Sequence, residues 1–151
     1  RRYLYETADS VRLEALARSS HRPLAELAAK MRREERYHLM HVDAWMRRLA
    51  GGPARERLGV ALERAWPDAQ AIFSPLAGER SLLAAGTLPE PLEALRERWV
   101  SRVRAFCDGI GLSLDPAPPA PPDGRRVRTD EFRWLHGEMT MVAGSGAGSA
   151  W

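Results

Sequence analysis

Arg33-Glu34-Glu35-Arg36-Tyr37-His38-Leu39-Met40-His41-Val42-Asp43-Ala44-Trp45-Met46-Arg47-Arg48-Leu49 is the stretch on which the fold turns. Leu24, Ala28 and Met31 before it, and Val42, Trp45 and Leu49 within it, recur at alternating steps of four and three, the spacing of one helical face, with a gap of eleven between Met31 and Val42. Glu35 and His38 fill the two missing beats of that apolar seam. Burying an unpaired carboxylate costs several kcal/mol, so a carboxylate in the seam needs a proton, a hydrogen-bond partner, a cation or a metal. The pattern thus raises a chemical question as well as a structural one.

Outward from this stretch, every long apolar pattern is helical. The central helix runs over 23–50, about 40 Å long at 1.5 Å per residue, from Pro23 in its first turn to the break at Gly51-Gly52-Pro53. Before it, Leu4, Ala8, Val11 and Ala15 mark a helix over 3–18, with the turn at Ser19 to Arg22. After it, Leu58, Leu62, Ala65, Ala69 and Ile72 mark a helix over 54–74, which Pro67 should kink. Residues 76–91 read as irregular, with a short helical turn from Glu79 to Ala85. Leu92, Leu95, Trp99, Val103 and Phe106 mark a helix over 89–108. The proline-dense run from Asp115 to Gly124 excludes helix and central strand, so 115–128 is a stiff connector after a bundle at 1–114. Thr129-Asp130-Glu131 starts a short helix, 129–142, expected to pack on the bundle, and the Gly-, Ser- and Ala-rich 143–151 is expected to be a flexible tail. The fold class is therefore all-α, an antiparallel helical bundle.

Composition narrows the function. The 151 residues are 44% hydrophobic, enough for one domain with a real core. The chain opens at Arg1 directly on a helical pattern, as a part of a longer protein would. No run reaches the roughly 18 apolar residues of a membrane span and no secretory leader is present, so a soluble, cytoplasmic protein with no membrane partner is expected. The net charge is only +3, and 22 of the 23 basic residues are Arg interleaved with acids, which does not call for a nucleic-acid partner. Cys107 is the only cysteine, which excludes an internal disulfide and a thiolate zinc cluster. Met40, Met46, Met139 and Met141 fit core positions by their helical phase, and Trp45, Trp66, Trp99 and Trp134 read as large core residues, with anchors of a partner interface as the alternative.

Glu35 and His38 form E-x-x-H, whose two side chains share one side of a helix, as in carboxylate-bridged di-iron bundles. A complete site of that kind takes a Glu from each of two helices and a Glu-x-x-His from each of two others. Glu6 lies 29 positions before Glu35, a separation that an antiparallel hairpin brings to one depth, and Asp9 follows Glu6 at i+3. The chain therefore offers at best half of a dimetal site: Glu6, Glu35 and His38, with Asp9 possible. In the competing arrangement Glu35 pairs with Arg12 or Arg32 and His38 is a hydrogen-bonded core residue. Glu6 is off the centre of the Leu4, Ala8, Val11 stripe, and His21, His41 and His136 do not assemble a second set.

Several of these segments resemble the C subunit of bacterial phenylacetyl-CoA epoxidase. They are Leu24-Ala25-Glu26-Leu27-Ala28-Ala29-Lys30, Arg33-Glu34-Glu35-Arg36-Tyr37-His38-Leu39 and Trp45-Met46-Arg47-Arg48-Leu49-Ala50-Gly51-Gly52, with Tyr3-Leu4-Tyr5-Glu6 before them and Leu62, Trp66, Thr129, Glu138 and Met139 after. The resemblance implies a ferritin-like bundle of which this chain is the C-terminal part. It implies that the di-iron centre sits in the A subunit and that NADPH serves a reductase subunit. This chain would then be a noncatalytic scaffold without a cofactor of its own, pairing with A, with the B and reductase subunits as further candidate partners, in phenylacetate degradation. Glu6, Glu35 and His38 would be a remnant polar cluster with no metal. The family commonly has His where this chain has Asp9, and Pro67 interrupts a helix that is usually continuous. The alternative is an active di-iron oxygenase, or a metal-binding ferritin-like protein, completed by upstream helices, with Glu6, Glu35 and His38 as ligands.

Overall fold

The computed structural model describes residues 1–124 and 126–145, with 142–145 described by backbone alone. It is all helical, as the periodicity requires: α1 Arg2–Leu16, α2 Arg22–Ala50, α3 Arg55–Ala69 with a 3-10 turn at Gln70–Phe73, α4 Glu79–Ala84, α5 Leu92–Gly109 and α6 Asp130–Ser145. The fold is a ferritin-like helical bundle, with no strand among the described residues. Boundaries differ modestly from expectation. Pro91 takes the extended conformation that precedes a helix, so α5 begins at Leu92 and not at 89. Past Pro67 the third helix tightens at Gln70 into the 3-10 turn.

α1 is the central element. It packs along α2 on one side and α5 on another, with α3 touching it as well. Leu4, Ala8, Val11 and Ala15 are buried as the spacing predicts, together with Tyr3, Thr7 and Leu13 from flanking positions. Trp99 of α5 is fully buried and anchors the core. Its ring lies 5.0 Å from that of Trp66 and 5.2 Å from that of Phe73, and its indole N–H donates to Thr7 Oγ1 at 2.9 Å. Thr7 passes its own proton back to the Tyr3 carbonyl at 2.8 Å, so a polar pair in the core is satisfied. Around this core run ion pairs from Arg102 to Glu14 and from Arg18 and Arg98 to Glu90.

The turn that makes α1 and α2 antiparallel is pinned. His21 caps α2 by accepting from Leu24 N–H at 3.4 Å, and Pro23 follows in the first turn. Ser19 and Ser20 donate to the carbonyls of Thr87 and Ala85, each at 2.7 Å, and Ser20 N–H donates to Gly86 O. Gly86 has φ of +66° and a Cβ there would come within 3.2 Å of the Ser20 side chain, so the residue is confined to glycine twice over. The proline-rich connector lies against the body: Trp66 Nε1–H, Arg96 and Ser74 Oγ–H donate to the carbonyls of Asp115, Pro118 and Pro121.

Three expectations need correction. Trp45 and Trp134, and Met40, Met139 and Met141, are exposed, so that only Trp66, Trp99 and Met46 of those sets are in the core. The α2 seam is covered on one side only: Ala28, Glu35 and Val42 are buried, whereas Met31, His38 and Trp45 are exposed. Residues Asp130 to Met141 of α6 are exposed throughout, where packing against the bundle was expected for 129–142. Phe132, Leu135 and Met139, at steps of three and four, share one face of this helix, and that face is exposed. The tail expected over 143–151 is helical at 143–145, and its remainder lies outside the described residues.

Candidate metal centre

α1 and α2 bring Glu6, Glu35 and His38 together, the hairpin matching the 29-residue separation of the two acids. One ligand atom from each lies within 4.8 Å of the other two, and among the described residues this is the only group of three or more such ligands. Glu6 and Glu35 are buried, at 8% and 9% exposure, and the His38 side chain is half exposed at 52%. Glu6 reaches the interface because the buried surface of α1 is wider than the Leu4, Ala8, Val11 stripe; Thr7 and Ser10 on that flank are buried too.

Inside the cluster, His38 Nδ1 is 3.3 Å from Glu35 Oε2 and 3.7 Å from Glu6 Oε2. Arg2 Nε–H donates to the other oxygen of Glu6, Oε1, at 2.9 Å. Glu35 Oε1 is buried with no hydrogen-bond partner while both carboxyls are ionised. Burial, then a hydrogen bond to Glu6 and the negative charge of Glu6, push the Glu35 carboxyl up to about 7, against the opposing pull of His38. Glu6 moves the other way: burial would raise it, but the Arg2 hydrogen bond, the Glu35 contact and the charges of His38 and Arg2 together hold it below the ordinary carboxylate range. Below about pH 7 the pair holds one proton, and the opposite directions of the two shifts put it on the Glu35 side.

Asp9 does not join them. It binds Arg12 at 2.9 Å, so neither Asp9 nor Arg12 serves the cluster. Arg2, absent from the sequence reading, is the cation that does serve it; the signal available was its i,i+4 spacing to Glu6. His21 is occupied as a cap, His41 lies beside Trp45, and His136 is on α6. Cys107 is buried, and burial raises its thiol to about 11, which makes it unreactive. The described donors therefore suit one divalent ion and do not suit a pair of irons, for which a second Glu and a second Glu-x-x-His are required.

An all-α bundle whose first hairpin buries two carboxylates beside a half-exposed imidazole defines the class: a ferritin-like helical protein. The profile of the phenylacetic acid catabolic protein family matches residues 1–151, and the chain belongs to that family. Its involvement is thus in phenylacetate catabolism. No curated protein matches the chain. No helix among the described residues is long and apolar enough to cross a membrane.

Proposed function

We propose that the chain is a noncatalytic, C-type subunit of the cytoplasmic 1,2-phenylacetyl-CoA epoxidase complex, holding the di-iron A subunit in a heterodimer or larger assembly. One observation carries the reading beyond family membership. The acids on the hairpin are neutralised by Arg2 and by a shared proton, and the described residues offer no second ligand set. A buried carboxylate pair quieted in this way needs no iron to keep the fold. The rigid core around Trp99 supplies the stiffness that a scaffold requires. In this assignment the irons, and the electrons that the reductase draws from NADPH, act in partner chains.

The test joins metal analysis to reconstitution. The purified chain should hold no iron pair and oxidise no phenylacetyl-CoA alone, and it should co-elute with an added A subunit on size exclusion. Glu35→Leu should leave that complex intact. About two irons per chain, with their loss in Glu35→Leu, would reject the scaffold assignment.

A second reading has its own observation. Met31, His38 and Trp45, with Leu27, form an uncovered row beside the cluster, so further helices from outside the described residues could bring the missing Glu and Glu-x-x-His. That protein would be a di-iron oxygenase, and the same iron count separates it from the first.

A further inference from the structure

We propose that two copies of this chain associate by seating α6 of each on the outer face of α3 of the other. The surface is built from other elements than the α1–α2 cluster, and the inference stands whether or not the chain is an epoxidase scaffold.

The two faces match in pattern and oppose in charge. On α3, Arg57, Val60, Ala61 and Arg64 follow one another at i, i+3, i+4 and i+7, so they share one side of the helix, away from the core residues Leu62 and Trp66. All four are exposed, and with Glu56 they line an open hollow of about 470 Å³. On α6, Glu131, Trp134, Leu135 and Glu138 stand at the same i, i+3, i+4 and i+7, and they are exposed too. Laid side by side in either direction, the rows set both Glu against both Arg, and Val60 and Ala61 against Trp134 and Leu135. Phe132 and Met139 widen the apolar side of α6, whereas Arg133, His136 and Thr140 occupy its far side. Acids in the middle of an apolar helix face are costly against a greasy groove and favourable against guanidinium groups, which selects a seat such as α3 offers.

The occupant is a second copy because both halves of the match are on this chain, and self-complementary surfaces close into a two-fold dimer with two equal seats. The chain does not fill its own seat. Thr129 Oγ1 accepts from Phe132 N–H at 3.2 Å and the Arg128 guanidinium lies 5.0 Å from the centre of the Phe132 ring, which fixes the entry to α6. The Glu131 carboxyl is held below its ordinary range by a hydrogen bond from its own backbone, then by Thr129, and further by the charge of Arg64. α6 thus starts near its own α3 and then leaves it, since every side chain from Asp130 to Met141 is exposed.

The experiment is sedimentation of the 151-residue chain over a dilution series. A reversible monomer–dimer equilibrium is expected, and a chain ending after Arg128 should remain a monomer. Arg57→Glu with Arg64→Glu, and separately Glu131→Arg with Glu138→Arg, should each weaken the dimer at least about tenfold, because like charges then meet in both seats. An equimolar mixture of these two variants should pair again, since opposite charges then meet in both seats of the mixed dimer. Val60→Asp should weaken the dimer through its apolar centre. Every substituted residue is exposed, and circular dichroism checks the helicity of each variant. A parent chain that stays monomeric throughout overturns the proposal; if truncation after Arg128 then lowers its melting temperature, α6 sits on its own α3. A dimer that the charge-swapped variants retain, or a mixture that fails to pair, overturns it as well.

Discussion

At the scale of single residues, the cluster makes the metal-free chain sensitive to pH in a predictable direction. Glu35, pushed up to about 7, holds its proton more tightly when folded than when unfolded. Its contribution is therefore fully present below about pH 4.5 and is lost as pH rises through 7, because there the folded chain binds more protons than the unfolded one. The size is on the order of 2–3 kcal/mol for a group so little exposed. In buffer with chelator, urea midpoints between pH 5 and 8 should fall for the parent chain, and Glu35→Gln should flatten that fall. Equal pH slopes in the two chains would remove the shared proton from the account. Thr7 makes a second residue-scale case. Thr7→Val leaves the buried indole N–H of Trp99 without an acceptor and should cost about 1–3 kcal/mol by chemical denaturation.

At the scale of the helix, α2 is two rows with different neighbours. Ala28, Glu35 and Val42 face α1, while Met31, His38 and Trp45, three residues on in each case, face outward. Two methionines on this helix test the division. Met46 is 5% exposed and Met46→Ala should cost about 2–5 kcal/mol, the usual price of a core truncation. Met31 is 43% exposed, and Met31→Ala should stay within about 0.5 kcal/mol of the parent in the isolated chain. Comparable losses at the two positions would mean that the outer row is covered in solution. For α5 the equivalent device is Glu79, whose Oε1 accepts from Leu92 N–H at 2.9 Å and so caps the helix from α4. Seen from sequence, Glu79 is one more surface acid.

For the whole molecule, stability resides in α1, α2, α3 and α5 and in the connector bound to them, while α6 adds none by packing. A chain ending after Arg128 should therefore melt within about 0.5 kcal/mol of the full one, since the side chains from Asp130 to Met141 are exposed. A clear loss of stability would show that α6 docks on the bundle after all. The exposed Phe132, Trp134, Leu135, Met139 and Met141 are then free for contacts outside the chain. At this scale the connector acts as a strap: three side chains on α3, α5 and the turn after α3 hold the carbonyls of Asp115, Pro118 and Pro121. Proline has no N–H to donate, so a proline-rich strap is held by its acceptors.

Sequence alone determined the helices, their order and the meeting of Glu6 with Glu35. Periodicity, Pro23, Gly51-Gly52 and a hairpin separation of 29 residues are local facts that need no partner to be read. It also marked the seam of α2 correctly as apolar, but not which of its rows is covered. A helix presents both rows equally, and only the number of neighbours packed against it decides that Glu35 is buried and His38 and Trp45 are exposed. Likewise the hairpin separation favoured Glu6 but left Asp9, three residues on, as a possible addition. Tertiary packing turned one toward α2 and left the other with Arg12, because burial is a property of what lies opposite a side chain and not of the side chain itself.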